Sequence, residues 1–148
     1  MRAQVTIVGV LQTIGVLLAT AVFACCSNQT GAPTEPVRVE VWRQGDIGST
    51  LQLTDAIEQA LRASPAFQKS TGQKPGTLVI LVRDSIQAFE VGDRLQLTYQ
   101  VEFQTETGSA LGATTGACWR DALSVCADFV VKQAELAAAK IKHPPKRV

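Results

Sequence analysis

Leu95-Gln96-Leu97-Thr98-Tyr99-Gln100-Val101-Glu102-Phe103-Gln104 alternates apolar and polar residues without a break. Side chains of a strand point to opposite faces in turn, so this stretch has one face to bury and one face for water. It fixes the chain as one with a half-covered sheet. Upstream, Thr77 to Val82 is a continuous apolar run of β-forming residues, expected to continue with a bulge through Ile86 and Phe89. Val91-Gly92-Asp93-Arg94 between them carries turn chemistry, which makes the pair a long hairpin. Downstream, Glu106-Thr107-Gly108-Ser109 turns the chain again, and Ala110 to Ala113 reads as a short last strand.

Two helical patterns flank this hairpin. Leu53, Ile57, Ala60 and Leu61 fall on one face at spacings of three and four. Asp55 with Glu58 fits a capping pair, and Ser49 or Thr50 equally fits a start one turn earlier. From about Asp121, Leu123, Ala127, Val130, Val131, Ala134, Ala138 and Ile141 line a second helix, which Pro144-Pro145 stops. Ahead of the first helix, Val37-Arg38-Val39-Glu40-Val41 alternates as a strand. Lys69 to Gly76 reads as a polar loop. The expected fold is α+β: a two-layer sandwich with a mostly antiparallel sheet of about four strands and two helices packed on one face. Its order is β-α-β-β-(β)-α, over residues 37–142.

The remainder of the 148 residues concerns address. Met1-Arg2 supplies a minimal positive start, Val5 to Phe23 is almost entirely apolar or small, and Val22-Phe23-Ala24-Cys25 closes the run. This is the tripartite order of a secretory signal over residues 1–24. Three outcomes fit: a bacterial lipobox whose Cys25 thiol is lipidated (with palmitate-type acyl chains), ordinary cleavage after Ala24, and an uncleaved anchor of nearly spanning length. If Cys25 is acylated, Cys26 follows it where inner-membrane retention would call for Asp, which by resemblance to bacterial sorting rules favours the outer membrane. Residues 25–36 are then a lipidated N-terminus and flexible tether, SNQTGAPTEP being small, polar and proline-containing. Residues 143–148 form a basic tail. The expected location is the periplasmic face of the outer membrane, with soluble periplasmic or secreted protein as the alternative.

An oxidising compartment changes how Cys118 and Cys126 read. A structural disulfide closing a short loop is the expectation, with two reduced core cysteines as the other reading. Their spacing is not that of a zinc knuckle, so no metal and no cofactor is expected. Charged residues are 18% and the net charge is +1, with no basic stripe, which speaks against nucleic-acid binding.

Catalytic chemistry finds no foothold. His143, the single histidine, lies in the tail beside two prolines, and a triad needs an ordered base. Asp84, Glu90 and Asp93 are turn carboxylates; Asp121 and Asp128 share a helix face without a visible cleft. A non-enzymatic protein is therefore expected. The candidate contact residues are Gln96, Thr98, Gln100, Glu102 and Gln104 on the wet strand face, with Trp42 and Trp119 at strand ends. A plainly solvated sheet face is the competing reading of the first five, and core or hinge packing that of the tryptophans.

The lipobox, the tether, the strand, the Leu53–Leu61 helix, the hairpin around Val91-Gly92-Asp93-Arg94, the Leu95–Phe103 alternation and the last helix together resemble a family. They look like the small lipoprotein subunit of the outer-membrane lipopolysaccharide translocon. They are similar in the same way to envelope lipoproteins with a TolB-amino-terminal-like fold, including regulators of peptidoglycan synthases. The resemblance covers Val37 to Ile141 and is one of pattern and order. It implies an accessory or assembly factor, anchored in the membrane by its acyl group, for a membrane-bound envelope protein, in outer-membrane or lipopolysaccharide assembly. The alternative is a small domain that binds glycolipid or peptidoglycan fragments.

Overall fold

The alternation of Leu95–Gln104 becomes the longest strand of the domain. In a computed structural model that describes residues 35–45, 48–72 and 74–142, it forms β5, Arg94–Thr105. The other strands are β1 (Val37–Arg43), β2 (Phe67–Lys69), β3 (Leu78–Val82), β4 (Gln87–Val91) and β6 (Ala110–Trp119). Helix α1 spans Gly48–Ala63, and α2 spans Leu123–Lys142 after a 3-10 turn at Arg120–Ala122. Cys25, Cys26 and the basic tail with His143 lie outside the described residues.

Both helices do pack on one face, over a core of Val37 and Val39, Leu78, Ile80 and Val82, Tyr99, Val101 and Phe103. From the helices, Leu53, Ile57, Leu61, Cys126, Ala127, Val130 and Ala134 complete it. The fold is α+β as expected, but the sheet is mixed and has six strands among the described residues. β1 runs parallel to both β2 and β3. A strand that returns after a packed helix comes back parallel, so β1-α1-β2 and β1-α1-β3 are crossovers. The short β2 hides in what reads as the edge of a loop, since three residues are too few to show alternation. β6 is ten residues where four are expected. Its Gly, Ala and Thr residues carry little apolar signal, and the long β5 beside it supplies the template.

Of the two starts read for the first helix, the earlier one at Ser49 or Thr50 is the one that fits: α1 begins at Gly48, and Asp55 and Glu58 sit inside it. Asp121 belongs to the 3-10 turn, and α2 starts at Leu123.

The expected hairpin bulge is present. β3 and β4 pair with the same edge of β5, and Arg83–Ile86 stand opposite only Tyr99 and Gln100. Two extra residues keep the parity, so the faces of β3 continue into β4. The turn that joins β4 to β5 has two residues, Gly92 and Asp93, with Gly92 at φ 67° as mirror-image hairpin turns require.

At the far end, the Lys142 ammonium donates to the Glu35 carbonyl at 2.9 Å. The first and last described residues of the domain therefore meet. Among the described residues no helix is long and apolar enough to cross a membrane.

Candidate partner-binding face

The helices leave one face of the sheet uncovered, and cross-strand register orders what stands on it. One row runs Glu40, Val79, Gln104; the next runs Trp42, Leu81, Glu102, Ala113. Gln100 then stands beside Thr115, Thr98 between Gln87 and Ala117, and Gln96 between Phe89 and Trp119. Directly opposite residues of a sheet share a face and touch. The five polar residues of β5 thus do form one row, but they are half-buried rather than fully wet, because strands flank them on both sides. The face is also less polar than the β5 pattern alone implies. Val79 is fully buried within it, Leu81 is half-buried, and Phe89 and Val91 are 47% and 48% exposed.

Two distinct corners emerge. At the first, the Trp42 indole Nε1 donates to Glu40 Oε2 at 3.1 Å. The Arg83 guanidinium donates to Glu102 Oε2 at 2.7 Å and to Gln44 Oε1 at 3.2 Å. The hydrogen bond to Glu102 raises the Arg83 pKa above its ordinary value, against a smaller opposing effect of burial. Glu40 Oε1 and Arg83 Nε are shielded from solvent and have no hydrogen-bond partner among the described residues.

At the second corner, Arg94 lies over the Trp119 ring, 4.4 Å from its centroid. The same guanidinium donates to Asp121 at 2.7 Å, and that hydrogen bond pulls the Asp121 carboxyl below the ordinary carboxylate range. Phe89 and Val91 complete this end. The rows that hold Trp42 and Trp119 are six residues of β5 apart, about 20 Å at strand rise. The two tryptophans therefore serve separate ends of the face and do not line one site.

Sequence reading placed Gln96, Thr98, Gln100, Glu102 and Gln104 on this face and Trp42 and Trp119 at strand ends, and the sheet brings all seven to it. It missed Phe89, Val91, Arg83 and Arg94. The bulge at Arg83–Ile86 keeps the parity, but nothing in its sequence shows how many of its residues are extra, so the face of Phe89 could not be read in advance.

Cys118 and Cys126 are joined as a disulfide, Cα–Cα 6.0 Å, tying the end of β6 to the first turn of α2. A separate helix–sheet crevice of about 280 Å³ is lined by Val39, Val41, Leu61 and Phe67. Glu58 lies at its rim, paired with Lys69 at 3.0 Å and with Arg62 at 3.7 Å. That volume is just under the range of small-molecule pockets. Neither tryptophan lines it.

Tyr99 faces the core, 4% exposed, and burial raises its pKa above the ordinary value of 10.0. As the single tyrosine of the chain it gives an unambiguous phenolate signal. The unfolded state deprotonates first, so the contribution of this group is complete below pH 10.0 and lost as pH rises beyond it. Ultraviolet difference titration is expected to show a midpoint above that value, moving together with loss of circular dichroism. A midpoint at or below it in the folded protein would contradict the burial argument.

No family model matches this chain, and no curated protein matches it. Solved structures with a similar arrangement include a minor lipoprotein from Acinetobacter baumannii, 12% identical with a TM-score of 0.48, covering 70% of this chain and 92% of that one. Another is a PelC variant dodecamer from Paraburkholderia phytofirmans, 12% identical with a TM-score of 0.46, covering 70% and 89%. A second PelC dodecamer from the same organism has a TM-score of 0.43 at 12% identity, covering 68% and 84%. At these values the likeness is one of general strand and helix arrangement, and nothing of what those proteins do comes with it.

Proposed function

We propose that this chain is a non-enzymatic lipoprotein of the cell envelope that docks on a membrane-bound protein through its open sheet face and assists outer-membrane or lipopolysaccharide assembly. The observation that carries the reading is the Phe89–Gln96–Trp119 end of that face. Exposed apolar and aromatic side chains there adjoin a row of amides, the mixture found where protein interfaces have an apolar centre and a polar surround. The Cys118–Cys126 disulfide supports an oxidising compartment. The apolar run ending in Val22-Phe23-Ala24-Cys25 supports anchoring through Cys25. The anchor's role is positional: it keeps the domain near membrane partners and so raises its effective concentration there.

Two experiments test this. Cys25→Ser is expected to move the protein from the membrane to the soluble fraction; unchanged retention removes the acyl anchor from the reading. Affinity capture of the tagged chain from gently solubilised envelopes is expected to bring one membrane protein in stoichiometric amount. Phe89→Ser with Val91→Ser, at exposed positions outside the core, should reduce that recovery about tenfold or more. An empty capture turns the reading toward a glycan or lipid fragment, for which the Val39–Phe67 crevice is the place to look.

A further inference from the structure

β6 is an edge strand. Its ten residues, Ala110-Leu111-Gly112-Ala113-Thr114-Thr115-Gly116-Ala117-Cys118-Trp119, include no charge and no proline, and β5 is its one strand partner among the described residues. Sheets usually blunt such an edge with lysine, proline, or a strand of only a few residues, as β2 does at the other side of this sheet. Here the one device in view is Lys140, whose ammonium donates to the Leu111 carbonyl near the start of the strand. A second apolar feature runs alongside. Val125, Phe129 and Leu136 of α2 are 65%, 42% and 63% exposed, and their spacings of four and seven put them in one stripe.

The stripe and the edge point the same way. Cys126 is bonded to Cys118 and Lys140 reaches Leu111, so α2 runs antiparallel to β6 and beside it. The flank of α2 with Ala127, Val131 and Ala138 is buried in the core that it shares with α1. Turned around the helix from that flank, past the side that meets β6, come Phe129, Leu136 and Val125. They therefore overhang the free edge of β6.

We infer that this edge and this stripe form the interface of a two-fold homodimer, in which β6 pairs antiparallel with β6 of a second copy. A lone extended peptide would satisfy the strand but leave the α2 stripe, one layer above, uncovered. A second copy brings both features at once. The lengths agree: Cys126 to Lys140 spans about 21 Å of helix, and Leu111 to Cys118 about 23 Å of strand. The centre of one therefore lies over the centre of the other. Directly opposed residues must share a face, which admits Thr115 opposite Thr115 of the second copy and forbids Thr114 opposite Thr115. With the axis at Thr115, the same rotation passes near Lys132, and Phe129 of one copy falls within about 1.5 Å, along the axis, of Leu136 of the other. Gly112 and Thr114 on the helix side of the strand pair carry little bulk between the two helices. Lys132, the charged residue inside the stripe, is exposed and meets its own counterpart near the axis, where its long side chain must reach up to solvent. Such an interface uses one patch against itself, as two-fold assembly requires.

The membrane-extracted protein, in a density-matched detergent, is expected to sediment as a dimer of its processed subunit. Phe129→Glu with Leu136→Glu, both exposed and outside the core, is expected to weaken the dimer about tenfold or more while leaving circular dichroism unchanged. In a chain whose Cys25 and Cys26 are serine, Thr115→Cys should form a covalent dimer on mild oxidation, and Thr98→Cys on β5 should not. A monomer across the accessible concentration range overturns the proposal. So does a dimer indifferent to the two glutamates, a dimer cross-linked equally through Thr98→Cys, or a monomer that instead takes up an uncharged extended peptide. The open sheet face reaches this interface only at its Thr115 margin, four residues of β6 from Trp119 and a strand further from Phe89, so the dimer can fail while the partner-docking reading stands, and the reverse.

Discussion

Removing the Cys118–Cys126 link by Cys118→Ala with Cys126→Ala is expected to lower the thermal midpoint by about 10 °C. The bond closes a loop with a sequence separation of eight, for which loop-closure entropy gives roughly 2.5 kcal/mol. Alanine keeps both buried sites apolar, so the loss reports the bond itself rather than a buried hydroxyl. The effect should concentrate where the link acts, at the Arg120–Ala122 turn that carries the chain from β6 into α2. Wild-type protein held in a strong reductant should fall to nearly the same midpoint. Peptide mapping without reduction that returns Cys118 and Cys126 as free thiols, or a midpoint that does not move, would refute the structural role of the bond.

Gly116→Val should destabilise the domain by about 3 kcal/mol, although strand propensity on its own favours valine by up to about 1 kcal/mol. Gly116 stands directly opposite Tyr99, whose ring lies across it. A Cβ at position 116 would come 2.9 Å from Tyr99 Cε1 and closer still to Cζ and Oη. No real Cβ sits so near, and Tyr99 is packed among Val101, Cys118 and Cys126 in the core. The ring must leave its place or the strands must part. Denaturant unfolding of Gly116→Val, Tyr99→Ala and the double variant tests the cause. If the clash is the cause, the double variant is less destabilised than the two single losses added together, by about 1–3 kcal/mol. Strict additivity would mean that the glycine is needed for some other reason.

How much of this was legible in advance depends on where alternation survives. The ten residues from Leu95 to Gln104 show their two faces outright, and the Leu53–Leu61 spacing shows the buried side of α1. Both became structure as read. The parallel pairing of β1 was not legible, because strand direction is set by α1 packing across the sheet and leaves no mark within Val37–Val41. β6 was cut short because Gly112, Thr114 and Gly116 face the helices without bulk, leaving the period nothing apolar to display. The candidate face was half legible. Its amides came from β5, but Phe89 and Val91 join them only through a bulge whose two extra residues happen to preserve parity. Arg94 over Trp119 joins residues far apart in sequence that meet only once β5 and β6 are paired.

The hydrogen bond between Lys142 and Glu35 gives the domain a proximal pole and a distal one. The chain enters and leaves at the first, beside Val37. The Val91–Arg94 turn marks the second, eleven residues of β5 beyond Thr105 and so about 35 Å away. A fluorophore attached at Glu35 or at Lys142 will report from the same end, while Phe89 and Trp119 sit at the opposite one. For a chain moored through its N-terminus, the aromatic tip would be presented outward like the head of a probe, one strand length beyond the point where the domain begins.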